Sequence, residues 1–532
     1  MKKIIYFSLI LFSRLIYGQV SVGDVQQFYS VSYIDWDAND PQRIITATCK
    51  GISEHAYLFV DNSAYQPSQT QINNLLEKFE NIFVPIQTSF YGDIPNALDN
   101  DPKIYMLAVG NEWWSGYFDP GNQMKDSIVY AKWGKHSNEK EIIYFTASVF
   151  GSNYIYEVVS HEFGHLLHWG QDHSPEPIDN PVIFWEEAWV DEQFSTFSPV
   201  LTLEGINTTD LQDNSAFFYS SPNLPFIYFN TNANYNAVKL FITYMYEHYG
   251  DTAYVKKLIS EQENGIKGIN KTLSEMGYNK LFSDVFNEWV IANYLDNNNY
   301  MDGKYGYKHY NFPGCKVEKT FNTYPTVVTN SSLKAYAAKY YLFTAGKEEP
   351  IKITFNKSGS RFNVSFILFQ NTTSNTIDVI EYKDVNFAEY NFEKFGKDYN
   401  KIAMVIANID SLLPDNSSAN FIISADKLVV SVDDNNNIPE SFSVSEFYPN
   451  PFNPTSKCDF YIPYESKVKV SLFNSLGKNI SDVNENTYSA GTYVYKFDGT
   501  GLASGVYIVK FDGVSLIDSK KFTLSKKIIL QK

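Results

Sequence analysis

Tyr154-Ile155-Tyr156-Glu157-Val158-Val159-Ser160-His161-Glu162-Phe163-Gly164-His165-Leu166-Leu167-His168-Trp169 is the stretch that decides the fold of the N-terminal part of this chain. Its apolar residues recur at helical spacing with no internal proline, which predicts an amphipathic helix. Val158, Val159, Phe163, Leu166 and Leu167 are expected to pack that helix into a core. His161 and His165, four residues apart, then share one face, so both imidazoles reach one cation. Glu162, beside the first histidine, is placed to take a proton from a water at that cation. Gly164 costs about 1 kcal/mol of helix propensity, and close packing of a neighbouring backbone is one reason to keep it. A buried helix whose two histidines are merely hydrogen-bonded is the competing reading of the same residues.

A catalytic zinc takes three protein ligands and keeps a position open. Downstream, Phe184-Trp185-Glu186-Glu187-Ala188-Trp189-Val190-Asp191-Glu192 is helix-compatible and rich in carboxylates. Its distance from His165 suits a second helix laid beside the first. An HExxH followed by a Glu-(Gly/Ala)-apolar-(small/apolar)-acidic segment resembles the gluzincin metallopeptidases, in which that first Glu completes the site. Carried over residue by residue, Glu187-Ala188-Trp189-Val190-Asp191 makes Glu187 the implied third ligand beside His161 and His165. Glu186 competes, since one residue moves a carboxylate about 100° around a helix. Asp191, one turn after Glu187, is then placed to orient a ligating imidazole. The plainer alternative is that these acids solvate a helix face. His168 can share the face of His165, and His173 precedes a Ser-Pro-Glu-Pro loop; the gluzincin pattern does not use His168. The metzincin continuation is missing, and so is the GxMEN element of aminopeptidases, which favours an endopeptidase.

From Phe28 to Asn297 the chain is similar to the hyicolysin-like branch of secreted bacterial zinc peptidases. The stretches that carry this are Glu54-His55-Ala56-Tyr57-Leu58-Phe59-Val60-Asp61, Gly116-Tyr117-Phe118-Asp119-Pro120, Ser137-Asn138-Glu139-Lys140-Glu141-Ile142-Ile143-Tyr144 and Tyr235-Asn236-Ala237-Val238-Lys239-Leu240-Phe241. That family more often has Gln at the position of Gly164, and Asn-Glu-Gly where this chain reads Glu186-Glu187-Ala188; both departures bear on sub-family and substrate rather than on the metal. Peptide hydrolysis of this kind needs a donor toward the oxyanion, and Tyr235 is the candidate. With 40 tyrosines in the chain, a packing role for Tyr235 competes. No Ser-His-Asp order, cysteine motif or phosphate-cradling glycine loop offers another chemistry.

At 532 residues the chain is too long for one core and suggests about three domains. A net charge of −17 argues against nucleic acid and against anionic lipid. It is compatible with structural calcium, for which Asp99-Asn100-Asp101 or Asp433-Asp434 supply oxygens, although such residues are also ordinary turn chemistry. Met1-Lys2-Lys3, the apolar Ile4 to Phe12 and a cleavage site at Tyr17-Gly18 read as a signal peptide over residues 1–18. No later segment has the roughly 20 apolar residues of a membrane span. Cys49, Cys315 and Cys458 are too few and too scattered for a disulfide framework. One bridge, Cys49 to Cys315, and buried free thiols are the two options.

Residues 19–312 read as a sheet region followed by a helical one, with the cleft between them. Strands are expected over 27–34, 43–48, 56–60, 103–108 and 142–146, and helices over 69–80 and through most of 235–297. Across 313–430, short strands at 336–343, 351–355, 362–369, 377–382, 402–406 and 421–423 argue a β-sandwich. A polar linker, 431–443, follows. In the last stretch, 444–532, Tyr448-Pro449-Asn450-Pro451-Phe452-Asn453-Pro454-Thr455 leads extended into a small Ig-like sandwich.

YPNPFNPT, the Ser475-Leu476-Gly477 turn, Gly501-Leu502-Ala503-Ser504-Gly505-Val506-Tyr507 and the closing Lys520-Lys521-Phe522-Thr523-Leu524 resemble the C-terminal sorting domain of type IX secretion cargo. The resemblance spans residues 444–526 and leaves six residues beyond its usual ending. It implies passage through the outer membrane to the surface or the medium. The expected fold is multidomain: an α+β zincin-type metallopeptidase domain, an all-β sandwich and a C-terminal Ig-like β-sandwich. The expected activity is a secreted zinc-dependent endopeptidase acting on proteins or peptides and handled by the type IX machinery. The rivals are a surface adhesion or carbohydrate-associated protein with a zinc site but no turnover, and a metal-dependent hydrolase of another substrate.

Overall fold

Three nearly unbroken apolar runs, Ala56–Asp61, Ile104–Val109 and Ile142–Thr146, are buried along their whole length, as strands covered on both faces must be. A computed structural model describes residues 20–31, 42–96, 98–99, 101–110, 114–172, 186–204, 216–229, 231–308, 312–357, 359–371, 377–414, 417–428, 442–463, 465–488, 491–516 and 520–532. The signal segment 1–18 and nearly all of the 431–443 linker lie outside them. The chain divides into two units, Met1–Val430 and Ser431–Lys532.

The first unit opens with β1 (Val25–Val31), β2 (Gln42–Ile52), β3 (Ala56–Asp61), β4 (Ile104–Val109), β5 (Gly116–Phe118) and β6 (Ile142–Thr146), in the order β1-β2-β3-β4-β6-β5. β3–β4 and β4–β6 pair parallel, and the other pairs are antiparallel. Alternation sends Leu58, Met106 and Phe145 to one face, toward the helices, and Phe59, Leu107 and Tyr144 to the other, with Phe28 and Trp114. α1 (Gln69–Lys78), held by a capping box of Ser68 and Gln71, runs through a π turn at Phe79–Phe83 into α2 (Val84–Tyr91). The helix expected over 69–80 therefore continues to Tyr91, with Pro85 tolerated in the first turn of α2. α3 (Asp126–Trp133), α4 (Tyr154–Asp172), α5 (Ala188–Pro199), α6 (Ala216–Ser220), α7 (Asn232–His248), α8 (Asp251–Ile259), α9 (Gly265–Glu275) and α10 (Phe282–Leu295) complete this part.

The sandwich pairs a four-stranded sheet with a five-stranded one. The strands are β7 (Lys319–Phe321), β8 (Thr326–Lys334), β9 (Ala337–Thr344), β10 (Ile351–Lys357), β11 (Phe362–Gln370), β12 (Ile377–Tyr382), β13 (Phe387–Phe392), β14 (Tyr399–Asn408) and β15 (Ser418–Lys427). Their orders are β13-β10-β15-β8 and β12-β11-β14-β9-β7. The sequence reading misses β7, β8 and β13, and all three are edge strands, where polar side chains weaken the alternation. Nor is this sandwich set apart from the helices. Tyr340, Ile367, Ala403 and Val405 join the same core as Phe286 and Trp289 of α10, and the Tyr340 hydroxyl donates to the Val290 carbonyl at 2.8 Å. Lys304 lies 2.9 Å from Glu381 of β12 and 3.1 Å from Glu288 of α10.

The second unit holds β16 (Ser443–Val444), β17 (Thr455–Ile462), β18 (Ser466–Asn474), β19 (Asn479–Tyr488), β20 (Gly491–Asp498), β21 (Gly505–Ser515) and β22 (Lys521–Leu530), in sheets β16-β17-β20 and β19-β18-β21-β22. Phe442, Phe447, Phe460 and Phe511 fill its core. Ile528 and Leu530, near the chain end, are buried in that core, so the last residues complete β22 instead of trailing from it. Cys49, Cys315 and Cys458 are all buried free thiols, so the bridge considered between Cys49 and Cys315 does not form.

Candidate metal centre

Helix α4 is fixed by its apolar side. Phe163 packs edge-on against Phe79 at 4.9 Å between ring centroids, and Val159, Leu166 and Leu167 have no exposed surface. His161 and His165 project one turn apart, their ring centroids 4.9 Å from each other. Oε2 of Glu192, on α5, lies 3.4 Å from Nε2 of His161 and 3.6 Å from Nε2 of His165. One donor atom from each of the three residues falls within 4.8 Å of the others.

The carboxylate that lies beside the two histidines is Glu192, where the resemblance implied Glu187. The reason lies in where α5 begins. Glu187 is its N-cap, with extended backbone (φ −65°, ψ 132°), so its side chain leaves the helix face. Its Oε2 accepts from Trp189 Nε1 at 2.6 Å, and its carboxylate lies against Gly265, the first residue of α9. Glu186, the other candidate, accepts from the Gly265 N–H at 2.8 Å. Both acids therefore serve a helix N-terminus, which favours negative charge. Glu192 sits one turn before Ser195, whose hydroxyl donates to Glu192 Oε2 at 2.9 Å. α5 approaches α4 at Gly164, where an added Cβ would stand 2.4 Å from Ser198 Oγ and 3.0 Å from Ser195 Cα. The missing Cβ lets the two helices meet that closely. The overlooked signal was this pairing: Ser195, Ser198 and Thr202 form a small-residue stripe at helical spacing, and Glu192 extends it.

Asp191 occupies the place expected for an orienting carboxylate. Its Oδ2 lies 2.9 Å from Nδ1 of His165, too poorly aligned for a good hydrogen bond, and its Oδ1 lies 2.6 Å from Nδ1 of His168. Burial would raise the Asp191 pKa, but His165 and His168 outweigh it and hold the carboxyl well below the usual range. Burial would likewise lower the pKa of His165, yet Asp191 and Glu192 raise it to about 10. So much negative charge around two imidazoles makes the centre attractive to a cation. With His165 Nδ1 facing Asp191, both histidines offer Nε2, and two imidazole nitrogens with one carboxylate oxygen suit zinc. The donor set fits.

Glu162 is buried, and burial pushes its pKa up to about 7 against the lowering pull of His161 and His165. Its carboxylate packs on Gly116 of β5, where a Cβ would come within 2.6 Å of Oε1. The Tyr235 ring, near the start of α7, lies 6.2 Å from that of His161. Burial first, then the carboxylates of Glu192 and Glu162, raise its hydroxyl pKa, with a hydrogen bond to Glu192 contributing.

Other residues singled out from the sequence have different partners. Asp101 accepts from the Tyr57 hydroxyl at 3.0 Å, and Asp99 lies 3.6 Å from Lys140, so both carboxylates already have protein partners; Asp433, Asp434 and His173 lie outside the described residues. A second grouping, Glu54, His55 and Glu80, is partly exposed, and His55 Nδ1 is engaged by Glu80 at 2.6 Å.

Residues 446–531 match the family described as the secretion system C-terminal sorting domain. The chain thus carries a type IX sorting domain that directs it through the outer membrane, to the cell surface or beyond. The match reaches residue 531, so residues 527–531, expected to overrun the domain, fall within it. No helix among the described residues is long and apolar enough to cross a membrane. No curated protein matches the chain in sequence. Among solved structures, the Yersinia pseudotuberculosis-derived mitogen is similar at 13% identity, over 21% of this chain and 92% of its own, with a TM-score of 0.15. A Parabacteroides merdae beta-glucuronidase is similar at 10% identity, over 37% of this chain and 28% of its own, with a TM-score of 0.15. The extracellular region of zebrafish Gpr126 is similar at 10% identity, over 40% of this chain and 32% of its own, again at 0.15. Likenesses at that level carry no argument about fold or function.

Proposed function

We propose that this exported chain is a zinc-dependent endopeptidase in which His161, His165 and Glu192 hold the ion and Glu162 is the base. One observation carries the reading: two Nε2 atoms on α4 and one carboxylate oxygen on α5 converge, with a second buried carboxylate in the same cluster of charges. When bound, zinc supplies Lewis acidity at that point. Glu162 takes a proton from the attacking water onto its carboxylate and returns it to the leaving amine. The Tyr235 hydroxyl serves as donor to the oxyanion. β5 ends its sheet, so its outer edge offers backbone groups beside Glu162 to an extended peptide.

The test is hydrolysis of proteins and peptides by the purified mature chain, with and without a zinc chelator, beside Glu162→Gln. Chelator-sensitive cleavage that disappears in the variant, with one zinc still bound per chain, supports the reading. Zinc bound without cleavage of any substrate turns it toward the surface adhesion or carbohydrate-associated alternative. A chain that binds no zinc overturns it.

A further inference from the structure

One carboxylate on α5 is shared between two imidazoles of α4. Asp191 turns Oδ2 toward Nδ1 of His165 at 2.9 Å and Oδ1 toward Nδ1 of His168 at 2.6 Å. His165 and His168 are three residues apart, so they stand side by side on the helix. His168 is 3% exposed, and its ring packs on Phe194 of α5 at 4.5 Å. Since a carboxylate only accepts, Nδ1 of His168 carries the proton of this bond. Asp172 and Glu186 also act on the His168 ring electrostatically, so acids face it from α4 itself and from the segment leading into α5.

We propose that His168 is a positioning residue for the metal centre, acting through Asp191 on two of the three donors at once. Through Asp191 it keeps a carboxylate against Nδ1 of His165 at 2.9 Å, an ionic contact on the side of the ring away from the Nε2 that approaches Glu192. Because Asp191 and Glu192 are neighbours in α5, the same bond also ties to α4 the turn that carries Glu192. Without the His168 donor, Asp191 is free to rotate away, and both His165 and Glu192 lose their constraint. Partners of this kind typically change metal affinity 10–100-fold. The inference rests on the zinc reading of the site.

The experiment measures zinc retention of the mature full chain by competition with a chromogenic chelator, together with the melting temperature of the metal-stripped protein. The variants are His168→Asn, whose amide nitrogen takes the place of Nδ1, and His168→Gln, whose amide falls at the position of Nε2. His168→Phe is made in the wild-type and the Asp191→Ala backgrounds. His168→Gln and His168→Phe are expected to loosen zinc by about tenfold or more, and His168→Asn to stay near wild type. In the Asp191→Ala background, His168→Phe is expected to add nothing further. Equal retention in His168→Asn and His168→Gln overturns the proposal, as does a His168→Phe penalty undiminished without Asp191, since either would mark a role in packing alone. A wild-type chain that retains no zinc overturns the metal reading instead, and that result is separate from any difference among the variants.

Discussion

Helices α4 and α5 meet at Gly164, but they bring their donors to the contact by different routes. On α4 the two imidazoles lie four apart inside a helix of 19 residues, so helical geometry alone puts them on one face. On α5 the acids crowd the helix start, where extended backbone at Glu187 takes one carboxylate off the face and the next turn supplies another. Glu187 goes to the start of α9, and Glu192 goes to the histidines. Donors within one element obey the local repeat. A donor from a second element obeys the packing between the two.

Exchanging the two carboxylates is the strongest way to break this comparison. On the proposed reading Glu192→Gln removes a ligand and is expected to loosen zinc by more than about 100-fold. Glu187→Gln, which only weakens an interaction at a helix N-terminus, is expected to cost no more than about fivefold. Chelator competition measures both, and the opposite ranking would return the third position to Glu187. Glu162→Gln separates base from ligand: peptide turnover is expected to fall by about 10²–10⁴-fold with zinc content unchanged.

A second contact between elements sharpens the comparison away from the centre. Glu381 of β12 receives Lys304, the Tyr305 hydroxyl and the Asn287 amide. Burial would raise its pKa, but these partners lower it. Its contribution is therefore fully present above the unfolded value of about 4.3 and is lost as pH falls through the lower folded value. Glu381→Gln is expected to cost about 2–3 kcal/mol at neutral pH, below the cost of breaking a fully buried pair because the group keeps some solvent. The variant should also flatten the acid side of a plot of melting temperature against pH; an unchanged plot would mean the sandwich is held by its apolar contact alone. The smallest effect is expected from Gly164→Ala. A gain of about 1 kcal/mol in helix propensity opposes an overpacking cost of about 1–3 kcal/mol, leaving a net loss of about 1 kcal/mol in urea unfolding. Ser198→Ala, which removes the closest atom, should recover part of it.

Much of the fold could be read from the chain because it depends on local patterns. The buried strands at Ala56–Asp61, Ile104–Val109 and Ile142–Thr146, the α4 helix and the inner strands of the 313–430 sandwich all announce themselves by apolar runs or repeats. Edge strands such as β8, β13 and β19 do not, because solvent replaces half of the pattern. The continuous core between α10 and the outer face of the β11–β14 layer was also hidden, since apolar residues on a strand do not say which neighbour covers them.

For the centre, the sequence by itself determined that His161 and His165 share one face of a helix with Glu162 beside the first, because the helical repeat fixes their relation to one another. It also placed Asp191 near an imidazole and identified the sorting domain through its motif residues. Only the tertiary structure decided which carboxylate lies beside the two imidazoles and that Asp191 stands between His165 and His168. Those choices depend on where α5 starts and how closely Gly164 lets it approach, and neither is a property of any one segment.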